Sequence, residues 1–159
     1  PCGFYGSLDK ECTCSPQAIS KYMGKISGPL LDRIDIQIEV TPVKYQKLDS
    51  SEKIENSIEI KERVDLARKI QQKRYEKDAI YTNSQLSPKL IEQYCKLNNE
   101  SKKILELAFH RLSLSARAYG RILKVARTIA DLEQKENIGT EHVAEAIQYR
   151  SLDKKYWKN

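Results

Sequence analysis

Three of the four cysteines in this 159-residue sequence lie within its first fourteen positions. Cys12 and Cys14 form a Cys-x-Cys pair, and Cys2 precedes Cys12 by ten positions. Thiolates are common ligands of structural Zn²⁺, but such sites usually contain four ligands. Cys95 is distant, on a predicted helix, where we expect a small buried residue. The spacing therefore indicates an incomplete zinc site or a set of free thiols, rather than a disulfide framework.

Arg33 stands in the segment GPLLDRIDI, where a short helical turn gives way to an extended stretch. A cation there suits the negative end of the helix dipole, and Asp32 or Asp35 could pair with it. A planar and permanently charged guanidinium at such a corner is also suited to reach a phosphate held by another subunit. Sequence alone leaves both interpretations open.

Arg117 lies near the start of the helix predicted in SLSARAYGRILKVARTIADLEQK. If Ser113 or Ser115 caps this helix, Arg117 falls in the first turn, where the helix dipole disfavours a cation. A bound phosphate would reverse that effect, because the backbone N–H groups and Arg117 would contact the same anion. The alternative is a surface arginine directed to solvent. Arg121 and Lys124, on a neighbouring face, are weak candidates for contact with a nucleic acid.

A complete active site is absent from the sequence. The phosphate-binding pattern G-x-x-x-x-G-K-[ST] does not occur, and no Gly-rich loop joins a strand to a helix. His110 and His142 stand on predicted helices without a Ser or Cys nucleophile nearby, so we expect each to be a surface or half-buried residue.

The composition indicates a polar protein with a mild preference for anionic partners. Charged residues make up 31% of the chain and the net charge is +6, a balance that favours nucleotides or nucleic acids as partners. There is no run of about 18 apolar residues, and the first residues lack the apolar stretch of a secretory signal. We therefore expect a cytoplasmic protein with no membrane partner.

Residues 1–48 are predicted to form an arm that contains a Cys-rich loop, a short helix, the turn at PLLDR and one strand. Ser15 followed by Pro16 is typical of a helix start. In IDIQIEV, apolar and polar residues alternate from Ile34 to Val40, which predicts a half-buried strand. A lone strand needs partners to satisfy its backbone groups, so this arm is expected to belong to a larger fold.

Residues 49–159 are predicted to form a bundle of about five helices, which makes the fold class mainly α. A long helix should begin between residues 50 and 57 and end near residue 75. Shorter helices should begin after Ser87 and after Asn98 or Asn99, and Thr140 should cap the last one. The residues expected to face the core are Ile60, Val64, Ala67, Ala118, Ile122, Val125, Ile129 and Leu132.

The sequence contains three distinctive segments in this order: SGPLLDRIDIQIEV, LSARAYGRILKVARTIADLE and HVAEAIQYRSLD. In order and spacing they resemble the C-terminal part of the magnesium-chelatase-like AAA+ ATPases, and among these the ComM/YifB group. The resemblance covers nearly the whole chain. It implies that an upstream α/β core of the same polypeptide supplies the Walker motifs. Residues 1–48 would then be the end of that core, including its last strand, and residues 49–159 its α-helical lid.

The same resemblance assigns roles to individual residues. It implies that Arg33 is an arginine finger acting on the neighbouring subunit of a ring, expected to be a homo-hexamer. It also implies that Arg117 is the sensor 2 arginine, which touches the phosphates in its own or a neighbouring subunit. Family members usually read NPCPCG where this chain begins PCG, which implies a fourth thiolate immediately before Pro1. That thiolate would complete a zinc site with Cys2, Cys12 and Cys14. The implied cofactors are ATP and Mg²⁺, with Zn²⁺ as a further candidate.

The activity implied is that of a ring helicase that promotes DNA branch migration during natural transformation. The full-length protein would be an ATPase, whereas this chain, which lacks Walker motifs, is expected to be inactive alone. Two alternatives stay open at this point. One is a helical DNA-binding module that places Arg117, Arg121 and Lys124 on the duplex backbone, and the other is the motor subunit of a true magnesium chelatase.

Overall fold

The computed structural model describes residues 1–7, 9–40, 43 and 55–150, and these residues form a mainly helical structure, as predicted. A 3-10 turn, Asn83–Gln85, lies between the third and fourth helices. The α-helices in this part of the chain are α1 (Pro16–Met23), α2 (Gly28–Leu31), α3 (Ser57–Arg74), α4 (Pro88–Tyr94), α5 (Asn99–Leu112), α6 (Ala116–Leu132) and α7 (Thr140–Gln148).

Side-chain caps determine where most of these helices begin. Four side chains each accept a hydrogen bond from a backbone N–H in the first turn of the helix that follows. They are those of Ser15, Ser87, Asn98 and Ser115. Asn56 caps α3 in a reciprocal capping box. Each cap contributes about 1 kcal/mol to helix stability. The starts predicted after Ser15, Ser87 and Asn98 are confirmed.

Helix α6 lies at the centre of the bundle and packs against α3, α4, α7 and the 3-10 turn, while α5 packs against α7. The apolar stripe predicted on α6 faces the core: Ala118 and Ile122 are fully buried, and Val125 and Ile129 are buried as well. Because α6 contacts three other helices and the 3-10 turn, its apolar face organises the core.

Helix α3 differs from the prediction in its first half. Ala67 is buried, but Ile60 and Val64 are 43% and 40% exposed. The buried residues of this region are Ala67, Gln71 and Tyr75, all toward its C-terminal end. The prediction that Ile60 and Val64 face the core is wrong, because α3 packs on α6 through its second half only.

The strand predicted at residues 34–40 does not form in the part of the chain that the structure describes. Its backbone is not paired in a ladder, and Ile36, Ile38 and Val40 are 51%, 66% and 82% exposed. Within the described residues the only β pairing is an isolated parallel bridge between Leu97 and Ile138. A strand requires a neighbouring strand for its hydrogen bonds, and the described residues supply none here.

Two further predictions fall outside the described residues: the boundary between residues 48 and 49, and the segment SLDKKYW after the last helix. Among the helices that are described, none has both the length and the apolar composition needed to cross a bilayer.

Candidate functional site

Arg33 lies two residues after the end of α2, and its side chain is exposed. Ser27 caps the start of α2, and the Arg33 Nη1 donates a hydrogen bond of 2.9 Å to the backbone carbonyl of Pro29 in the same helix. The two nearby carboxylates are paired with other arginines, Asp32 with Arg150 and Asp35 with Arg121. The charge of Arg33 is therefore accessible at the surface.

Arg150 anchors residues 31–37, the turn and extended segment that carries Arg33 and is called the corner below. It lies just after α7 and is 1% exposed. Its guanidinium donates hydrogen bonds to the carbonyl of Ile34 and to the carboxylate of Asp32. Next to it, the backbone N–H of Gln37 donates to the carbonyl of Tyr149 at 3.0 Å. The end of α7 thus binds residues 32–37, although the two segments are more than 100 residues apart in sequence.

Replacing Arg150 with methionine should loosen this corner without unfolding the bundle. Methionine keeps much of the apolar stem but removes the donors, and a hydrogen bond to a charged group contributes about 1.5–3 kcal/mol. We expect amide hydrogen exchange in residues 31–37 to accelerate about tenfold or more, with α5 and α6 unchanged, when measured by mass spectrometry. The exposed Arg111 provides the control, Arg111→Met. Unchanged exchange at residues 31–37 would show that Arg150 is not the anchor.

Arg121 joins the same corner to α6. Its Nη1 donates a hydrogen bond of 2.8 Å to the backbone carbonyl of Arg33 and also pairs with the carboxylate of Asp35. Arg117 precedes Arg121 by four positions, so the two share one face of the helix. The elements that carry the two predicted phosphate ligands, Arg33 and Arg117, therefore meet at the N-terminal part of α6.

Arg117 occupies the first turn of α6 and is exposed. Of the two serines considered as caps, Ser115 takes the role and accepts from the N–H of Ala118 at 3.2 Å. Ser113 instead ends α5 in a left-handed conformation, with φ of 44°. The first turn of α6 holds no acidic residue. Its backbone N–H groups and its dipole favour an anion at this position.

The weak nucleic-acid candidates have partners within the chain. Arg121 is bound to the corner as described, and the Lys124 Nζ donates to the carbonyl of Ser84 at 2.8 Å. Both side chains hold other segments against α6. A role for Arg121 and Lys124 in nucleic-acid binding stays a prediction.

A buried ionic network fastens α3 and the 3-10 turn to α6, and sequence reasoning did not identify it. Asp131 is fully buried and accepts hydrogen bonds from Arg74, Arg127 and Asn83, at 2.9, 3.1 and 2.9 Å respectively. Burial opposes the charge of Arg74, but its hydrogen bond with Asp131 prevails and raises its pKa. For Arg127 burial prevails and lowers the pKa. A sequence signal was present: Arg127 and Asp131 are charged residues four apart among apolar residues of a helix.

His142 differs from its prediction. It is 1% exposed rather than half-buried, and its Nδ1 accepts the backbone N–H of Gly139 at 2.8 Å. Its Nε2 lies 3.1 Å from a carboxylate oxygen of Glu133. Gly139, and not Thr140, is the cap residue of α7. His142 therefore connects the start of α7 with the end of α6, and it has a structural role.

The three N-terminal cysteines converge, with their sulfur atoms all within 4.8 Å of one another. The Sγ atoms of Cys2 and Cys12 are 3.5 Å apart, and the backbone N–H of Cys2 donates to the Sγ of Cys14 at 3.0 Å. A hydrogen bond from the backbone N–H of Phe4 lowers the pKa of Cys2 to about 6. Cys95 is buried, as predicted, and burial raises its pKa to about 11.

Comparison with known proteins identifies the family. Residues 54–150 match the model described as "Magnesium chelatase, subunit ChlI C-terminal", and residues 1–48 match the one described as "Magnesium chelatase, subunit ChlI". The chain therefore belongs to the magnesium chelatase ChlI C-terminal family.

Two relatives show which group within the family the chain resembles. Over 153 residues the chain is 45% identical to "Competence protein ComM" of Haemophilus influenzae, which covers 96% of this chain and 29% of that protein. Over 156 residues it is 39% identical to "Uncharacterized protein YifB" of Escherichia coli, covering 97% of this chain and 29% of that protein. The predicted resemblance to the ComM/YifB group is confirmed, and the chain spans about 29% of the length of these relatives.

Proposed function

We propose that this chain is the lid-bearing part of an ATP-hydrolysing AAA+ ring motor that acts on DNA, and that it contributes Arg33 and Arg117 to hydrolysis. One observation carries the proposal: the corner with Arg33 is bound to α6 by Arg121, one helical turn from Arg117. Two exposed arginines on adjoining elements form a cationic surface suited to a triphosphate.

The two arginines have different tasks in this proposal. Arg33 reaches the γ-phosphate in the neighbouring subunit of a homo-hexamer and stabilises the charge that develops there during transfer. Arg117 contacts the phosphates together with the N–H groups at the start of α6. ATP and Mg²⁺ are bound by the upstream core of the same polypeptide, which supplies the Walker motifs. When bound, Mg²⁺ neutralises the phosphate charge.

The relatives support the biological setting. One of them is named for competence, which supports action on incoming DNA, and we propose that the motor drives branch migration in the cytoplasm during natural transformation. The net charge of +6 is compatible with a polyanionic partner.

A second candidate is the motor subunit of a true magnesium chelatase, and the family description favours it. Its ATPase chemistry would be the same, but its partner would be a porphyrin-handling protein rather than DNA. A purely DNA-binding helical module is less well supported, because Arg121 and Lys124 are engaged with Asp35 and Ser84.

The ATPase rate of the full-length protein, measured with and without branched DNA, separates these functions. A DNA motor should hydrolyse ATP faster when branched DNA is present. Hydrolysis that branched DNA leaves unchanged would contradict the DNA motor and favour the chelatase. A protein that binds branched DNA without hydrolysing ATP would instead be a binding module.

Arg117→Ala in the full-length protein should lower kcat for ATP by roughly 100-fold or more, comparable to the loss of one preorganised donor to a developing negative charge. Arg111→Ala is the matched control, since Arg111 is an exposed arginine at the end of the neighbouring helix α5. Steady-state phosphate release provides the measurement. Near-normal hydrolysis by the Arg117 variant would remove this residue from the proposed site.

A further inference from the structure

The N-terminal loop contains a cluster of three cysteines that has no part in the proposed ATP hydrolysis. From its geometry we infer that Cys2, Cys12 and Cys14 bind one Zn²⁺ ion through their three sulfur atoms. The inference does not depend on the proposed motor function.

The distances between the sulfur atoms agree with a shared metal ion. Tetrahedral Zn²⁺ with Zn–S bonds of about 2.3 Å holds its sulfur ligands roughly 3.8 Å apart. The three sulfurs lie within 4.8 Å of one another, and those of Cys2 and Cys12 are 3.5 Å apart. A disulfide would require about 2.05 Å, and all three cysteines are free.

The backbone supports this arrangement. Gly3 and Gly6 have φ of 83° and 79°, which lets the chain turn back so that Cys2 meets Cys12 and Cys14. Backbone N–H groups of Cys2 and Phe4 donate to cluster sulfurs. Such N–H donors are typical of the shell that orients metal ligands. The loop therefore presents the sulfurs in a fixed orientation.

The donor set specifies the kind of metal. Three sulfurs without a carboxylate oxygen are soft ligands, which favour Zn²⁺ over Mg²⁺ or Ca²⁺. All three cysteines are partly exposed, so an ion can enter from solvent. Three protein ligands leave one coordination position for water or for another donor.

The surroundings indicate what the metal would contribute. Helix α1 begins two residues after Cys14 and has no buried residue. A segment that buries so little apolar surface gains little stability from packing. Zn²⁺ would tie the start of α1 to the loop, and thereby supply stability that the core does not.

Cobalt substitution tests the site directly. The reduced 159-residue chain is titrated with Co²⁺, which gives a thiolate-to-metal charge-transfer band, and the ion is then displaced by Zn²⁺. We expect one ion per chain. Cys12→Ser and Cys14→Ser should each weaken binding about 100-fold or more, because even the loss of a second-shell partner costs 10–100-fold. The buried Cys95, changed to alanine, should leave binding unchanged.

Several results would overturn the inference: no charge-transfer band in the reduced chain, equal affinity in Cys14→Ser, or a Cys2–Cys12 disulfide in protein purified under reducing conditions. Circular dichroism checks that the helical bundle persists in each variant. Since Co²⁺ binding is measured without ATP, its failure is distinguishable from failure of the proposed motor function.

Discussion

Arg33→Ala is expected to reduce the ATPase rate of the full-length protein by about 1,000-fold or more, the effect typical of removing an arginine finger. The expectation rests on an exposed guanidinium whose neighbouring carboxylates pair with Arg150 and Arg121. The side chain's only hydrogen bond within the described residues is to the Pro29 carbonyl, four residues earlier in α2, so its loss should leave the fold intact. Phosphate release at saturating ATP provides the measurement.

Two further experiments sharpen this prediction. Arg33→Lys keeps a positive charge but lacks the planar fork, and we expect it to recover only part of the activity. Mixing the Arg33→Ala protein with subunits that cannot bind ATP but retain Arg33 should restore hydrolysis, because in the proposed motor Arg33 acts on the neighbouring subunit. Normal hydrolysis by Arg33→Ala, or no recovery on mixing, would contradict a role in trans.

Asp131→Ala should destabilise the 159-residue chain by about 3–5 kcal/mol, because it leaves buried positive charge uncompensated. Asp131 is fully buried between Arg74 and Arg127, and it also accepts from Asn83. The loss is large compared with the 5–15 kcal/mol that stabilises a typical domain. Urea unfolding followed by circular dichroism measures the change.

Asp65→Asn is the matched control for this substitution. Asp65 also pairs with a cation four residues away on a helix, Lys61, but its side chain is 56% exposed. Surface pairs contribute little, so the unfolding midpoint should hardly move. Asp131→Asn keeps the shape and part of the hydrogen bonding, and should fall between the two. If Asp131→Ala unfolded at the same midpoint as Asp65→Asn, the network would not stabilise the bundle.

In the proposed motor, the contacts of the corner have a mechanical consequence. Residues 31–37 are bound to α6 through Arg121 and to the end of α7 through Arg150. A rotation of the helical bundle would therefore carry the Arg33 corner with it. Arg150 and Arg121 are positioning residues in this scheme, because they touch the corner and not the nucleotide.

Helix type, order and most boundaries could be predicted from the sequence. Ser15, Ser87 and Ser115 cap helices through contacts with residues only three positions away, so the information lies within the segment itself. The apolar stripe of α6 likewise repeats at helical spacing, and its residues from Ala118 to Ile129 are buried, whereas Leu132 at the end of the helix is half-buried. The close grouping of Cys2, Cys12 and Cys14 in sequence already indicated a cluster. The roles of Arg33 and Arg117 came from resemblance to the family and stay predictions.

Contacts between distant segments could not be predicted, because they depend on how the helices pack against one another. The alternation in residues 34–40 predicted a strand, but strand formation requires a neighbour, and the described chain provides none. Helical periodicity placed Ile60 on an apolar face, yet only the second half of α3 reaches α6. Local sequence thus determined the helices and the cysteine cluster. Tertiary packing alone decided that Arg150 and Arg121 hold the corner and that Arg74 pairs with Asp131, since the partners in each of these contacts are separated by at least 57 residues.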